Sequence, residues 1–169
     1  PRRYLTKQEE AQLRGEIAHA YFIFGVDHKA IRQARHSIGI GRAGAHMGYW
    51  SGGLAAWRIG NIELAGSFFR TLADEEDVFG DLRSAAAFWA YRAEMRGGRP
   101  DEAIRYLQIA SGKLHSFYGV MARHVLGQEF ELSFELPSYN YGFVEWLSAR
   151  QGGQRLFALL QIGRQNDAE

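Results

Sequence analysis

Four times in this chain a bulky helical run ends in glycine, four residues follow, and an alanine opens the next run. The joints are Gly25…Ala30, Gly60…Ala65, Gly98…Ala103 and Gly163…Ala168. Glycine lets the first helix end in a left-handed turn that residues with a Cβ resist. Alanine lets the second helix approach its partner closely at that turn. A single helix pair of this size cannot bury its own apolar face, so neighbouring pairs must share a core. The glycine intervals are 35, 38 and 65 residues. The first two lie near the ~34-residue period of one common helix-pair repeat, and the third leaves room for extra helices.

The expected fold is therefore all-α: a right-handed superhelix (solenoid) of antiparallel helix pairs, tetratricopeptide-like, with about eight to ten helices. The chain reads as one superhelical segment, 1–169. Within it, 1–44 holds the first helix pair and a glycine joint, 45–127 the core helical repeats, 128–137 a connector, and 138–169 the terminal helices.

Helical periodicity runs almost throughout. Thr6-Lys7-Gln8-Glu9 fits a capping box. Leu13, Ile17, Ala20, Tyr21 and Phe24 then recur on one face. Asp27 is expected to cap a second helix carrying Ala30, Ile31, Ala34 and Ile38. A third helix spans about 45–59, with Tyr49, Trp50, Leu54 and Trp57 apolar. Asn61 caps a fourth, with Ala65, Phe68, Phe69 and Leu72 inward. A fifth covers about 82–96 with Ala86, Trp89, Ala90 and Ala93. After Gly97-Gly98-Arg99, Pro100 sits near the first position of a sixth helix that buries Ala103, Ile104, Leu107 and Ile109. Ser116 opens another through Phe117, Tyr118, Val120, Val125 and Leu126 to Gly127. Glu131 to Pro137 alternates polar and apolar, and Pro137 argues for an extended connector rather than a sheet. Helical spacing resumes at Phe143, Trp146 and Leu147, then at Leu156, Phe157, Leu159, Leu160 and Ile162. An aromatic stripe at helical spacing is packing before it is a ligand box. Trp50, Trp57, Trp89, Phe68 and Tyr118 are thus expected in the core.

Several function classes fall away. Hydrophobic residues at 46% and charged residues at 23% exclude general disorder. Twenty Lys+Arg against 19 Asp+Glu leave a net charge of +1, which argues against a nucleic-acid footprint or an acidic tail. The absence of cysteine excludes disulfides, thiolate zinc sites and a cysteine nucleophile. No apolar run of about 18 residues predicts a membrane span.

The candidate sites are weak. Gly39-Ile40-Gly41-Arg42-Ala43-Gly44 lacks the Gly-Lys-Ser/Thr ending and the preceding strand of a phosphate loop, and reads as an interhelical bend. Asp74-Glu75-Glu76-Asp77 lacks EF-hand spacing and reads as a solvated helix start. Among His19, His28, His36, His46, His115 and His124 no HExxH occurs. His28 and His36 are eight apart with no third ligand. No Gly-x-Ser-x-Gly elbow is present. Glu131 and Glu135 have no cleft between them to act as paired carboxylates. No catalytic, metal or cofactor residue is assigned. Pro1 is not a translation start, and Asn166-Asp167-Ala168-Glu169 looks like the first turn of a cut helix. The chain is therefore expected to be a piece of a longer protein.

Two segments carry a resemblance: Tyr49-Trp50-Ser51-Gly52-Gly53-Leu54-Ala55-Ala56-Trp57-Arg58-Ile59-Gly60, and Ser84-Ala85-Ala86-Ala87-Phe88-Trp89-Ala90-Tyr91-Arg92-Ala93. A third, Ser116-Phe117-Tyr118-Gly119, with Ala122 and Leu126-Gly127 after it, is more specific. Together they resemble the α-superhelical domain of soluble lytic murein transglycosylases, which cleave peptidoglycan. Ala158-Leu159-Leu160-Gln161-Ile162-Gly163 resembles the helices that precede that family's linker. The resemblance implies an exported, periplasmic parent whose lysozyme-like catalytic domain follows this region. That domain uses one Glu as acid and base and leaves a 1,6-anhydromuramoyl end. Neither its Glu-Ser motif nor its Gly-Leu-Met-Gln motif occurs here. The expected role is thus a non-catalytic scaffold that positions glycan strands for that domain. A tetratricopeptide-like protein–protein interaction module is the alternative.

Overall fold

The computed structural model describes residues 5–78, 81–128 and 140–164. Among them the structure is all-helical, with no strand. Its helices are α1 (Lys7–Ile23), α2 (Asp27–Ile40), α3 (His46–Arg58), α4 (Ile62–Asp74), α5 (Leu82–Arg96), α6 (Pro100–Ser111), α7 (Phe117–Val125), α8 (Tyr141–Ser148) and α9 (Gln151–Gln161). None is long and apolar enough to cross a membrane. The chain divides into two compact units, Pro1–Phe130 and Glu131–Glu169. The expected connector from Glu131 to Pro137, Ala168 of the fourth joint, and the ends at Pro1 and Asn166–Glu169 lie outside the described residues.

The glycine joints form as the sequence demands. Gly25, Gly60, Gly98, Gly127 and Gly163 all take positive φ, between 67° and 81°. In each, the amide after the glycine donates back to a carbonyl five residues earlier: Val26 to Tyr21, Asn61 to Ala56, Arg99 to Glu94, Gln128 to Arg123, and Arg164 to Leu159. This is one Schellman stop used five times, closing α1, α3, α5, α7 and α9. Gly127 falls inside the 65-residue interval and divides it into 29 and 36. The alanines five residues after the first three glycines, Ala30, Ala65 and Ala103, are fully buried.

In the first unit each helix packs on its neighbour in sequence, and α1 also meets α3, α4 meets α6, and α5 meets α7. Sequence neighbours run antiparallel. Ser37 Oγ donates to the Ala11 carbonyl (2.6 Å), while Arg14, a turn later in α1, reaches Gln33, a turn earlier in α2. Next-but-one helices run parallel at a near-constant offset. His19 Nδ1 lies 3.2 Å from Ser51 Oγ, Trp57 packs on Trp89, and Tyr106 Oη donates to Asp74 (3.1 Å).

The core is built on small residues. Gly52 lies so close to α2 and α4 that a Cβ there would stand 2.7 Å from the Ala34 methyl, and one on Gly53 would stand 2.5 Å from the Phe69 ring. The rings of Phe68 and Phe69, from α4, fill the space against Gly52 and Gly53.

The structure corrects several expectations. Asp27 is the first residue of α2, not its cap; Val26 is the cap and makes no side-chain bond. The Asp27 carboxylate instead receives Arg58 Nε at 2.9 Å, because α3 ends beside it. Asp74 closes α4 and Glu75 follows as its C-cap, so the acidic run sits at a helix end, where the dipole opposes negative charge. Arg105 compensates Asp74 at 2.7 Å. Ile104 is half exposed, since the buried row of α6 is Ala103, Tyr106, Leu107 and Ala110. Of the five expected core aromatics only Phe68 is buried; Trp50, Trp57, Trp89 and Tyr118 are half-buried. Alanine and glycine backbones occupy the space those rings would need.

The start of α7 is the tightest point of the first unit. Ser116 Oγ caps it by accepting from Gly119 N (2.9 Å), and a Cβ on Gly119 would stand 1.9 Å from the Lys113 carbonyl oxygen. Gly119→Ala must push α7 off the preceding turn, at about 1–3 kcal/mol. Gly39 lies inside α2 with nothing within 4 Å of a Cβ, so Gly39→Ala should stabilise by roughly 0.5–1 kcal/mol. Thermal melts of the two variants should move in opposite directions.

In the second unit, Asn140 caps α8 by accepting from Phe143 N (2.9 Å), a cap the sequence reading missed. A Cβ on Gly153 would stand 1.8 Å from the Leu147 carbonyl oxygen, so α9 starts hard against the end of α8. Arg150 lies over the Trp146 ring at 3.5 Å.

Candidate ligand-binding site

Half-buried aromatics of α3, α5 and α7 form a chain of contacts from Trp57 through Trp89 to Tyr118. Trp57 stands one turn before the Gly60 stop, and Trp89 lies mid-way along α5. Their rings meet edge to face, 5.1 Å apart at 83°. Trp89 is the hub. Its ring lies 5.8 Å from buried Phe69, and its indole N–H donates to Tyr118 Oη at 3.2 Å. Tyr118 packs in turn on Phe88 at 5.5 Å.

Two arginines of α5 converge on these indoles. Arg92 lies 4.4 Å from the Trp89 centroid and 4.9 Å from that of Trp57, and Arg96 lies 4.9 Å from Trp57. Positions 89, 92 and 96 share one helix face, so this follows from helical spacing. Guanidinium planes rest well on indole faces, gaining about 0.5–2 kcal/mol and losing side-chain freedom. Neither guanidinium has a carboxylate partner among the described residues. The cluster therefore offers two held forks of N–H donors, whose natural ligand is an oxyanion. The sequence pattern points to the tryptophans as core and singles out neither Arg92 nor Arg96. The signal was present as Trp89, Arg92 and Arg96 at three- and four-residue steps.

Several other charges are paired. Glu94 is 1% exposed and takes Arg70 on one carboxylate oxygen and Arg99 on the other. Glu63 joins from the surface, 3.3 Å from Arg99. Burial pushes the Glu94 carboxyl up, but the hydrogen bonds and charges of Arg99 and Arg70 outweigh it and hold the group below the ordinary carboxylate range. Burial beside Asp74 pushes the Tyr106 phenol up to about 12. Glu9 is held low by the Thr6 amide and hydroxyl of the capping box. Glu9 and Glu94 are thus displaced opposite to what a general acid at neutral pH needs.

The expected bend at 39–44 is shorter in the structure, since α2 runs through Ile40, and Arg42, Ala43 and Gly44 line a cavity of about 440 Å³ with Gln8, His46, Glu75, Glu76 and Asp77. Gly44 is required there, at φ 88°, because a Cβ would stand 2.4 Å from the Gln8 carbonyl oxygen. The Glu75 carboxylate meets His46 Nε2 at 3.1 Å. His28 and His36 join no group of three metal-ligating residues, and no such group occurs among the described residues. Glu131 and Glu135 lie outside the described residues. No family model, no curated protein and no solved structure matches this chain.

Proposed function

We propose that the chain is a superhelical scaffold segment of a periplasmic peptidoglycan lytic transglycosylase, positioning glycan strands for a lysozyme-like catalytic domain of the same parent protein. The observation that carries this reading is the packing between two of the resembling segments, 84–93 and the one that opens at Ser116. Ser84 and Trp89 of the first meet Ser116 and Tyr118 of the second, through Oγ–Oγ at 3.1 Å and Nε1–Oη at 3.2 Å. The residues that carry the resemblance are therefore those that join α5 to α7, as a shared architecture would require. The parallel next-but-one helices and the repeated Schellman stop support the finer fold, a right-handed superhelix of antiparallel, tetratricopeptide-like pairs.

A scaffold of this kind binds without turnover. Incubated with purified sacculi, the chain should co-sediment with them and release no anhydromuropeptides. Soluble anhydromuropeptides from this chain alone would overturn the scaffold reading. A chain left wholly in the supernatant would overturn the glycan reading instead. It would favour the alternative, a protein-interaction module, for which the exposed apolar helix ends at Phe24, Ile59 and Met95 speak.

A further inference from the structure

We infer that Arg92 and Arg96 form a carboxylate-binding site which, on the function proposed above, takes the free carboxylates of peptidoglycan stem peptides.

The first ground is charge. Like charges four residues apart on a helix repel, and among the described residues no carboxylate oxygen lies within 4 Å of either guanidinium. Arg42, Arg58, Arg70, Arg99 and Arg105 each lie within 4 Å of a carboxylate oxygen. Arg92 and Arg96 face indole rings instead. The second ground is preorganisation. Trp57 carries a guanidinium from each arginine, and the Trp57–Trp89 edge-to-face contact fixes the floor on which they rest. Trp89 is itself held by Phe69 and Tyr118. Forks held in this way lose less freedom when they bind. The third ground is shape. The guanidiniums stand 4.4 to 4.9 Å from the indole centroids, so an incoming ligand at these rings meets N–H donors. Edges of two planar forks select planar oxyanions that accept two bonds at once, which is carboxylate geometry. The site is open, because Arg96 is exposed and Arg92 half-buried.

The test titrates the full chain with a soluble muropeptide bearing free stem carboxylates, with the same muropeptide after carbodiimide amidation, and with a tetraglutamate peptide. Arg96→Gln, at an exposed position, should melt as wild type. It should bind the free muropeptide about fivefold or more weakly, the loss expected for one bidentate ion pair near the surface. Arg96→Lys should bind nearly as weakly, because an ammonium keeps the charge but not the fork. Amidation should weaken wild-type binding by a similar factor and leave the binding of Arg96→Gln unchanged. Arg155→Gln, on α9, should bind as wild type. Equal binding by wild type and Arg96→Gln, or no effect of amidation, would overturn the site. Arg96-dependent binding of tetraglutamate with none of the muropeptide would uphold the site and overturn the peptidoglycan reading.

Discussion

Phe69→Ala is expected to destabilise the protein by about 3–5 kcal/mol, the largest effect of any single truncation in the first unit. Phe69 is fully buried. It packs 5.9 Å from Trp50 and 5.8 Å from Trp89, and its edge lies over Gly53. Removing the ring deletes its transfer energy and two aromatic contacts. It also leaves a cavity that the glycine face of α3 cannot fill. The melting temperature should fall by roughly 10 °C, at a few degrees per kcal/mol for a chain of this size. Phe24→Ala, at a position 82% exposed, should leave the melt nearly unchanged. The Gly53 contact predicts a coupling as well. Gly53→Ala clashes with the ring in the wild type but fills space in the Phe69→Ala background. A double-mutant cycle should therefore show the second substitution rescuing part of the loss of the first. A melt for Phe69→Ala within a degree or two of wild type would refute the assignment of this ring as the centre of the core.

Glu94→Gln is expected to cost roughly 3 kcal/mol at neutral pH, since removing one partner of a buried ion cluster leaves the others uncompensated. Among the described residues Arg70 and Arg99 would then share only the Glu63 carboxylate, whose side chain is 72% exposed and screened by water. The pH dependence separates this from a packing effect. The folded-state pKa of Glu94 lies below its ordinary value of 4.5. Its contribution is thus fully present above about pH 4.5 and is lost as the pH falls through the lower folded value. The gap between wild type and variant, measured by urea unfolding, should stay constant from neutral pH down to about 5 and then close. A gap that persists unchanged into the acid range would mean the loss is steric, and the electrostatic account would fail.

Much of this molecule was legible in its sequence because the relevant physics is local. A Schellman stop needs a positive φ within one turn of the helix end, so Gly25, Gly60, Gly98 and Gly163 announce it. The capping hydroxyl of Ser116 acts within three residues, and that of Thr6 does too. Pro100 at the first turn of α6 is equally local. Gly127 carried the same signal but was read only as a helix end, because the joint after it has no alanine five residues on.

What misled was distance along the chain. Asp27 looks like a cap, since Asp before an apolar run is one of the commonest cap signals. Arg58, 31 residues on, captures its carboxylate instead. Asp74 to Asp77 look like a helix start by charge, yet the apolar face of α4 extends through Leu72 and Ala73 and places them at its end.

By itself, then, the sequence determined the helices, their stops and the small residues that bring them close, because each depends on backbone conformations set within a turn or two. Only the tertiary structure decided which helix lies beside which, and so which charges meet. Glu94 is buried between Arg70 and Arg99 because α4 and α6 both pack on α5. Trp57 and Trp89 stay half-buried because alanine and glycine let the helix axes close up beneath them, leaving the indoles at the rim. There Arg92 and Arg96 cover them. Burial depends on how closely the helices approach, and that distance is set by all the small residues at once rather than by any one stretch of the chain.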